Sequence, residues 1–265
     1  MFLDRMNYLE VEEYLKKNDS IIIVTGSTEN HGKHMPLGTD TMIPEKIVQL
    51  TDEKLGNRIV IGPALPYGST EDLKGFPGTL SIGPDLLTEV LNRICGQLYD
   101  YGFRHFIILN GHGGNTKSIE RTGHYLYRRN ARLAIVNWWL IAGQINPQWK
   151  GGHGGAEETA GVMAVDPTLI KTEYLHEGEN FVNDLGDELP VSDWNAVKFK
   201  GGIITIPRPL KDVTDNGWNQ YGMTTDFPYM ATEERGREMV AAMADYVADF
   251  AEVFARVKMP QDGER

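Results

Sequence analysis

Four short apolar segments, separated by stretches with helical periodicity, constrain the fold of this chain more than any other feature. They predict strands at residues 20–24, 58–61, 105–109 and 132–137. Continuous apolar strands that alternate with helices are typical of a mostly parallel sheet covered by helices on both faces. We therefore predict a doubly wound α/β fold, and we expect residues 1–265 to form a single domain.

The remaining segments divide into helices and connections. Apolar residues recur at three- and four-residue steps in the helical stretches, whereas Gly, Asp, Asn and Pro are frequent between residues 174 and 231. Helices are predicted at residues 44–55, 85–101, 116–130 and 232–256, and a hairpin is predicted near residues 202–207.

Charge and cysteine content exclude several classes of function. The net charge of −11 disfavours contact with a phosphate backbone, so we expect no nucleic-acid partner. No segment approaches the roughly 18 apolar residues of a membrane span, so no membrane partner is expected. The single cysteine, Cys95, excludes an internal disulfide and a thiolate zinc site. Because the N-terminal segment is acidic and amphipathic rather than a secretory signal, we expect a cytoplasmic protein.

Histidines follow two of the predicted strands at the point where each strand ends. The segment GSTENHGKH, residues 26–34, follows the first strand, and GHGGN, residues 111–115, follows the third. Ligands of parallel α/β sheets bind outside the carboxyl ends of the strands. The sequence therefore predicts a functional site at this edge of the sheet.

The residue types at these strand ends indicate a metal site. Glu29 and His31 are two residues apart, so their side chains point the same way in an extended chain. The turn at residues 36–39 can bring Asp40 back over this pair, and His112 arrives from the other strand. Mixed imidazole and carboxylate ligands suit Zn²⁺, Mn²⁺ or Fe²⁺.

A third segment, GGHGGAEET at residues 151–159, adds further candidates. His153 lies in a glycine-rich loop and is a candidate catalytic proton carrier. Glu158 is expected in the first turn of the following helix, where the helix dipole favours a carboxylate even without a metal. We interpret the other isolated histidines as structural or solvated; they are His105, His124 and His176, with His34 left open.

Motifs of other enzyme classes are missing from the sequence. The GHGGN segment has neither the G-x-G-x-x-G spacing nor the lysine of a phosphate-binding loop, and there is no G-x-S-x-G nucleophile elbow. Water activated by a metal is therefore the most economical nucleophile.

With these residues in view, the chain resembles the creatininase (creatinine amidohydrolase) family. The matching motifs follow the order of the family through most of the chain. They are GSTENHG at residues 26–32, LGTD at 37–40, GFPGT at 75–79, NGHGGN at 110–115 and HGGAEET at 153–159, with a weaker match, ATEERG, at 231–236.

The resemblance implies a doubly wound α/β fold with two divalent ions, Zn²⁺, Mn²⁺ or Fe²⁺. The ligands of the family fall on Glu29, His31, Asp40 and His112, with Asp40 in the bridging place. The family also implies a homo-oligomer, commonly a hexamer, and a small-molecule substrate.

Two departures from the family pattern bear on the substrate. Creatininase itself has a glutamate ligand where this chain has Gly114, so the missing ligand is assigned to Glu158, with Glu157 as the alternative. Most relatives have a histidine where this chain has Asp72, and a carboxylate there disfavours an anionic substrate. The resemblance is therefore to a GHGGN-type member rather than to creatininase itself.

The expected function is metal-dependent hydrolysis, in which metal-bound hydroxide attacks a ring carbonyl of a small cyclic substrate and cleaves a C–N bond. One alternative is C–C hydrolysis that opens a cyclic keto-inositol, 3-dehydro-scyllo-inosose, in inositol catabolism. Another, ranked low, is a non-catalytic metal- or sugar-binding module. Candidate substrate-binding residues are Trp139, Asp72, Trp218 and Tyr221.

Overall fold

A computed structural model of the chain describes residues 1–178, 185–193, 195–217 and 226–260. Its centre is a four-stranded parallel sheet with the order β2-β1-β3-β4. The strands are β1 Ser20–Thr25, β2 Val60–Ile61, β3 His105–Asn110 and β4 Arg132–Asn137. The predicted α/β class and all four predicted strands are confirmed, although β2 is shorter than expected.

The order of the strands creates a switch point between β1 and β3. The chain passes from β1 to β2 on one side and returns to β3 on the other side. Residues pair in register along β1 and β3, from Ser20 with His105 to Thr25 with Asn110. Because both strands end at the same level, the segments that follow them diverge there and leave a crevice.

Helices cover both faces of the sheet, because consecutive strand residues point to opposite sides. Ile22 and Ile107 pack with one group of helices, whereas Ile21 and Phe106 pack with the other. The first group is α2 Thr39–Leu55, α5 Trp138–Ile145, α6 Ala156–Val165 and α7 Glu233–Phe254. The second is α1 Tyr8–Leu15, α3 Pro84–Tyr101 and α4 Thr116–Arg128.

Helix α2 begins five residues earlier than predicted. The prediction started this helix at Pro44 and left Asp40 between a turn at residues 36–39 and the helix, but the structure places Asp40 in the first turn of the helix. Pro44 lies inside the helix and has no N–H to donate to the carbonyl of Asp40. The helix continues past this missing hydrogen bond, so the sequence signal of proline as a helix start was misleading here.

A small antiparallel sheet stands apart from the main one and has the order β5-β6-β7. Its strands are β5 Val191–Asp193, β6 Ala196–Phe199 and β7 Gly202–Thr205. The predicted hairpin is present but turns earlier, at Lys200 and Gly201, which both have positive φ angles. None of the helices in the described part of the chain is both long enough and apolar enough to cross a membrane.

Helices α6 and α7 pack unusually closely at Gly236. A Cβ atom built on this glycine would lie 1.8 Å from the backbone carbonyl oxygen of Ala160 in α6. Backbone cannot yield as a flexible side chain can, so only glycine permits this approach. The contact matters for the site because α6 also carries Glu157 and Glu158.

Gly236→Ala should therefore destabilise the protein by about 1–3 kcal/mol through overpacking. Gly123→Ala in α4 is the matched control, because its Cβ would meet only Leu133 at the ordinary distance of 3.7 Å. The control should be neutral or slightly stabilising, since alanine is the better helix former. Chemical denaturation of both variants measures the difference; equal free energies of unfolding would refute the close-packing argument.

Candidate metal centre

Two asparagines join the ends of β1 and β3 and thereby place the first ligands. Asn110 accepts a hydrogen bond from Thr25 Oγ1 at 3.0 Å. Asn115 donates from Nδ2 to the carbonyl of Gly26 at 2.9 Å and accepts from the N–H of Ser69 at 3.0 Å. The loops after the two strands and the segment around Ser69 are consequently fixed to one another.

Asp40 lies at the middle of a buried cluster that these loops form with α2. Its Oδ1 is 2.8 Å from His31 Nε2, and its Oδ2 is 3.0 Å from His112 Nδ1. Ser27 donates a hydrogen bond to the same Oδ2 at 2.8 Å. The two oxygens of one carboxylate thus face imidazoles from two different strand ends.

The cluster contains two groups of potential ligand atoms that share Asp40. One group is Glu29, Asp40 and His112, and the other is His31, Asp40 and Glu158. A third group, formed by Glu29 and His31 with His153, overlaps both. The structure therefore brings together all five predicted metal ligands and the predicted catalytic histidine.

Backbone carbonyls orient each imidazole of the cluster. His112 Nε2 lies 2.9 Å from the carbonyl of Ser69, and His31 Nδ1 lies 3.2 Å from that of Glu29. A carbonyl only accepts, so these nitrogens carry the proton and the opposite nitrogens face the carboxylates. Partners of this kind set the tautomer of metal-binding histidines.

The carboxylate of Glu29 shows that the cluster fits a cation. Glu29 is fully buried, and neither of its oxygens has a hydrogen bond of good geometry, although Oε1 lies 3.2 Å from His112 Nδ1. A buried carboxylate without donors is costly, and a divalent ion would satisfy it. Imidazole and carboxylate donors without a thiolate suit Zn²⁺, Mn²⁺ or Fe²⁺.

The charges of the cluster also favour cations. Burial lowers the pKa of His31, but Asp40, Glu158 and Glu29 outweigh it and raise this pKa to about 10. Burial raises the pKa of Asp40, but His31 and His112 outweigh it and hold this pKa well below its usual value. The neighbouring carboxylates thus favour the protonated, cationic form of the imidazoles. A metal ion that binds here would have to displace those protons.

His153 approaches the same cluster from the glycine-rich loop before α6. Its ring stacks on His31 with centroids 4.2 Å apart, and its Nδ1 lies 3.6 Å from Glu29 Oε1. Its Nε2 lies 2.8 Å from the carbonyl of Asn30, so this nitrogen carries the proton. Burial, followed by the charge of His31, holds the pKa of His153 well below its usual value.

The two adjacent glutamates of α6 have different surroundings in the structure. Glu158 Oε2 lies 3.6 Å from His31 Nε2 and accepts a hydrogen bond from the N–H of Gly154 at 2.7 Å. Glu157 lies beside Asp226, which accepts a hydrogen bond from the Glu157 N–H at 3.1 Å, and it belongs to neither ligand group that contains Asp40. The geometry therefore favours Glu158 as the ligand.

A cleft with a volume of about 340 Å³ opens beside the cluster. Trp139 and Asp72, both predicted to bind substrate, line it, but Asp72 Oδ2 already accepts a hydrogen bond from Asn195 at 3.0 Å. The other two predicted substrate residues, Trp218 and Tyr221, lie outside the described residues. Among the described lining residues there are six acidic side chains and no lysine or arginine.

Sequence reasoning missed several residues that shape this site. Ser27 could have been found, since it lies inside the first histidine motif. Asp226 had no such signal; it accepts hydrogen bonds from the N–H groups of Gly152 and Glu157, and so closes the loop that carries His153. Thr70 also lines the cleft but belongs to no recognisable motif.

Comparison with known proteins decides the family. The family described as creatininase, creatinine amidohydrolase, matches residues 4–251. The chain belongs to the creatininase family. It is accordingly a metal-dependent hydrolase, as the resemblance implied.

Relatives of this creatininase-family chain have different names. A mycofactocin precursor peptide peptidase of Mycobacterium tuberculosis is 29% identical over 85% of this chain and 82% of the relative. A 3-dehydro-scyllo-inosose hydrolase of Thermotoga maritima is 26% identical over 98% of this chain and 86% of the relative. A solved mutant creatininase of Zn–Zn type has the same fold, with a TM-score of 0.70 and 21% identity over 97% of this chain and 98% of that chain.

Glu158→Gln should lower the metal content of the chain, since an amide binds divalent ions far more weakly than a carboxylate. We expect one ion to be lost and the other, held by Glu29, Asp40 and His112, to remain. Glu157→Gln is the matched control and should keep the full metal content. Elemental analysis after dialysis measures the metal content of both variants. Metal loss from the Glu157 variant alone would identify Glu157, rather than Glu158, as the ligand.

Proposed function

We propose that this chain is a two-metal hydrolase that adds water to a carbonyl carbon of a small, uncharged ring. The observation that carries the proposal is the position of Asp40 between two ligand groups at the wall of one cleft. The existence of a creatininase of Zn–Zn type supports the use of two ions. We expect Zn²⁺, Mn²⁺ or Fe²⁺ in these positions.

In this proposal Glu29, Asp40 and His112 hold one ion, and His31, Asp40 and Glu158 hold the other. Two divalent ions lower the pKa of a water molecule and polarise a carbonyl group. Ser27 fixes the orientation of the Asp40 carboxylate through its hydrogen bond to Oδ2. Because the backbone holds the imidazoles of His31 and His112, the ligands need little rearrangement when the ions bind.

His153 is proposed to carry the proton to the leaving atom. Its Nε2–H donates to the carbonyl of Asn30, so Nδ1 is the nitrogen that can accept and return a proton. The stacking on His31 and the hydrogen bond keep the ring at the wall of the cleft.

The lining of the cleft restricts the substrate. Three acidic side chains of the described lining, Glu71, Asp72 and Glu157, lie outside the proposed ligand set, and that lining contains no lysine or arginine, so a carboxylate away from the ions would meet like charge. This argues against a free peptide carboxylate and favours a neutral ring. Cleavage of a C–N bond in a cyclic amide follows the description of the family.

Opening of a keto-inositol by C–C cleavage is the second candidate. It is favoured by the Thermotoga maritima relative, whose likeness extends over 98% of this chain. A non-catalytic metal- or sugar-binding module remains the low-ranked alternative. The hexameric assembly and the cytoplasmic location stay predictions from the sequence.

His153→Ala should retain both ions but lose about 10²–10⁴-fold in kcat, the usual contribution of a positioned proton carrier. His124→Ala is the control, because His124 lies in α4, away from the cluster and the cleft. Elemental analysis and steady-state kinetics are the measurements. Full activity of the His153 variant would refute its role, whereas loss of an ion would make His153 a ligand.

The function itself is tested with a substrate panel on the metal-loaded protein, read by mass spectrometry for the gain of one water. The panel contains cyclic amides such as creatinine, hydantoins and small lactams, together with formamides and keto-inositols. We expect turnover of a neutral ring, and its products show whether a C–N or a C–C bond is cleaved. Turnover confined to formamides, or binding without any turnover, would contradict the proposal.

A further inference from the structure

His34 is a buried histidine near the metal cluster that the proposed reaction does not use. Only 1% of its surface is exposed, and its Nε2 lies 3.1 Å from Thr159 Oγ1 in α6. Burial, and after it the charge of His31, lower the pKa of His34 to about 4, so the ring is neutral near pH 7 and carries one proton. His34 belongs to none of the three ligand groups found among the described residues, so it has a different role.

The second hydrogen bond of Thr159 fixes the direction of this contact. The Thr159 hydroxyl lies 2.7 Å from the carbonyl of Gly155, and because a carbonyl only accepts, the single hydroxyl proton is donated there. The hydroxyl oxygen therefore accepts from His34, whose Nε2 carries the proton. A chain of two hydrogen bonds thus runs from His34 through Thr159 to Gly155, at the end of the loop that carries His153.

This chain of hydrogen bonds connects two segments that each carry a proposed ligand of the same ion. His34 follows His31 by three residues in the segment after β1, and Thr159 follows Glu158 directly in α6. His31 Nε2 and Glu158 Oε2 lie 3.6 Å apart, and both residues belong to one ligand group with Asp40. The hydrogen bond between His34 and Thr159 therefore joins the two segments close to these two ligands.

A tight turn at Gly32 places the His34 ring. Gly32 has a φ angle of +85°, which glycine adopts without steric cost. A Cβ atom at this position would lie only 2.9 Å from His34 Nδ1, so the ring packs directly on the glycine backbone. The N–H of Lys171 donates to the carbonyl of His34 at 2.9 Å. Both the backbone and the ring of His34 are consequently held, as a residue that positions others requires.

We propose that His34 and Thr159 are positioning residues that hold His31 and Glu158 at the spacing that an ion between them requires. This inference rests on the proposed function, since it concerns one of the ions in that proposal. Both side chains are almost fully buried, so they act through the two segments that they join rather than on the substrate. Residues outside the ligand set can change metal affinity about 10–100-fold in this way.

The test is titration of the metal-free protein with zinc by isothermal titration calorimetry. Thr159→Val removes the hydroxyl at nearly constant shape and should weaken the binding of one ion about tenfold, whereas Thr159→Ser keeps the hydroxyl and should restore most of the affinity. Thr122→Val is the matched control and should bind zinc as the wild type does. Thr122 is also fully buried in a helix and donates to the carbonyl four residues earlier, that of Ser118, but it lies in α4.

Two further comparisons assign the effect to this hydrogen bond and to this ion. His34→Leu removes the donor, and the double variant with Thr159→Val should lose little more affinity than the weaker-binding single variant, because both changes break the same hydrogen bond. In the Glu158→Gln variant, which we expect to keep only the other ion, Thr159→Val should leave zinc affinity unchanged. A merely structural role would lower the melting temperature without this selectivity between ions.

The inference is overturned if Thr159→Val and His34→Leu bind zinc as tightly as the wild type, or if Thr122→Val weakens binding equally. It is also overturned if Thr159→Val weakens the ion that remains in the Glu158→Gln variant. Failure of the proposed function looks different. Selective weakening of one ion, together with a wild type that hydrolyses no substrate of the panel, supports the inference and refutes only the reaction. If the wild type binds a single ion, weakening by Thr159→Val and recovery by Thr159→Ser support the inference and refute the two-metal proposal.

Discussion

The position of the Asp40 carboxylate between His31 and His112 is the constraint on which the site depends. It requires the first turn of α2 to lie against the ends of both β1 and β3, and glycines make this approach possible. A Cβ atom at Gly111 would lie 1.8 Å from the Asp40 carbonyl oxygen, and one at Gly26 would lie 2.6 Å from it. The glycines of the two strand-end motifs thus serve the packing of α2, while the acidic and imidazole side chains that follow them form the cluster that could hold metal ions.

Much of this arrangement could be predicted, because parallel strands place their carboxyl ends at one edge. This argument, with the two-residue spacing of Glu29 and His31, predicted that Glu29, His31 and His112 lie together, as they do in the structure. The predicted turn before Asp40 is present, with Glu29 N–H bonded to the carbonyl of Leu37, but Pro44 concealed the true start of α2 at Thr39. The apolar segment of α5, Trp138–Ile145, gave no helical signal, because its residues are apolar almost all round and lack the periodicity of a surface helix.

Other features lay beyond sequence reasoning. Glu157 and Glu158 are adjacent on a helix, so their side chains differ in direction by about 100°, and the choice between them needs the orientation of α6. Asp226 and Thr70 contribute through contacts between segments far apart in the chain, and neither belongs to a motif with a known spacing. His105 shows the opposite case: its contacts with Asp19 and the carbonyl of Val257 satisfy both ring nitrogens, which agrees with its interpretation as a structural histidine.

The site contains buried polar groups that destabilise the folded chain unless something binds to them. Glu29 is buried without good hydrogen bonds, and Thr70 and Glu157 have buried atoms without partners. Such groups cost stability, and proteins retain them where a bound ion or ligand satisfies them.

The central proposal is that Asp40 would contribute a ligand to each of two ions, and anomalous diffraction from zinc-soaked crystals at the zinc absorption edge tests it most directly. We expect two peaks about 3.5–4 Å apart on either side of the Asp40 carboxylate, the usual spacing of two-metal sites. One peak should lie beside Glu29 and His112, and the other beside His31 and Glu158. A single peak, or two peaks of which only one contacts Asp40, would contradict the account.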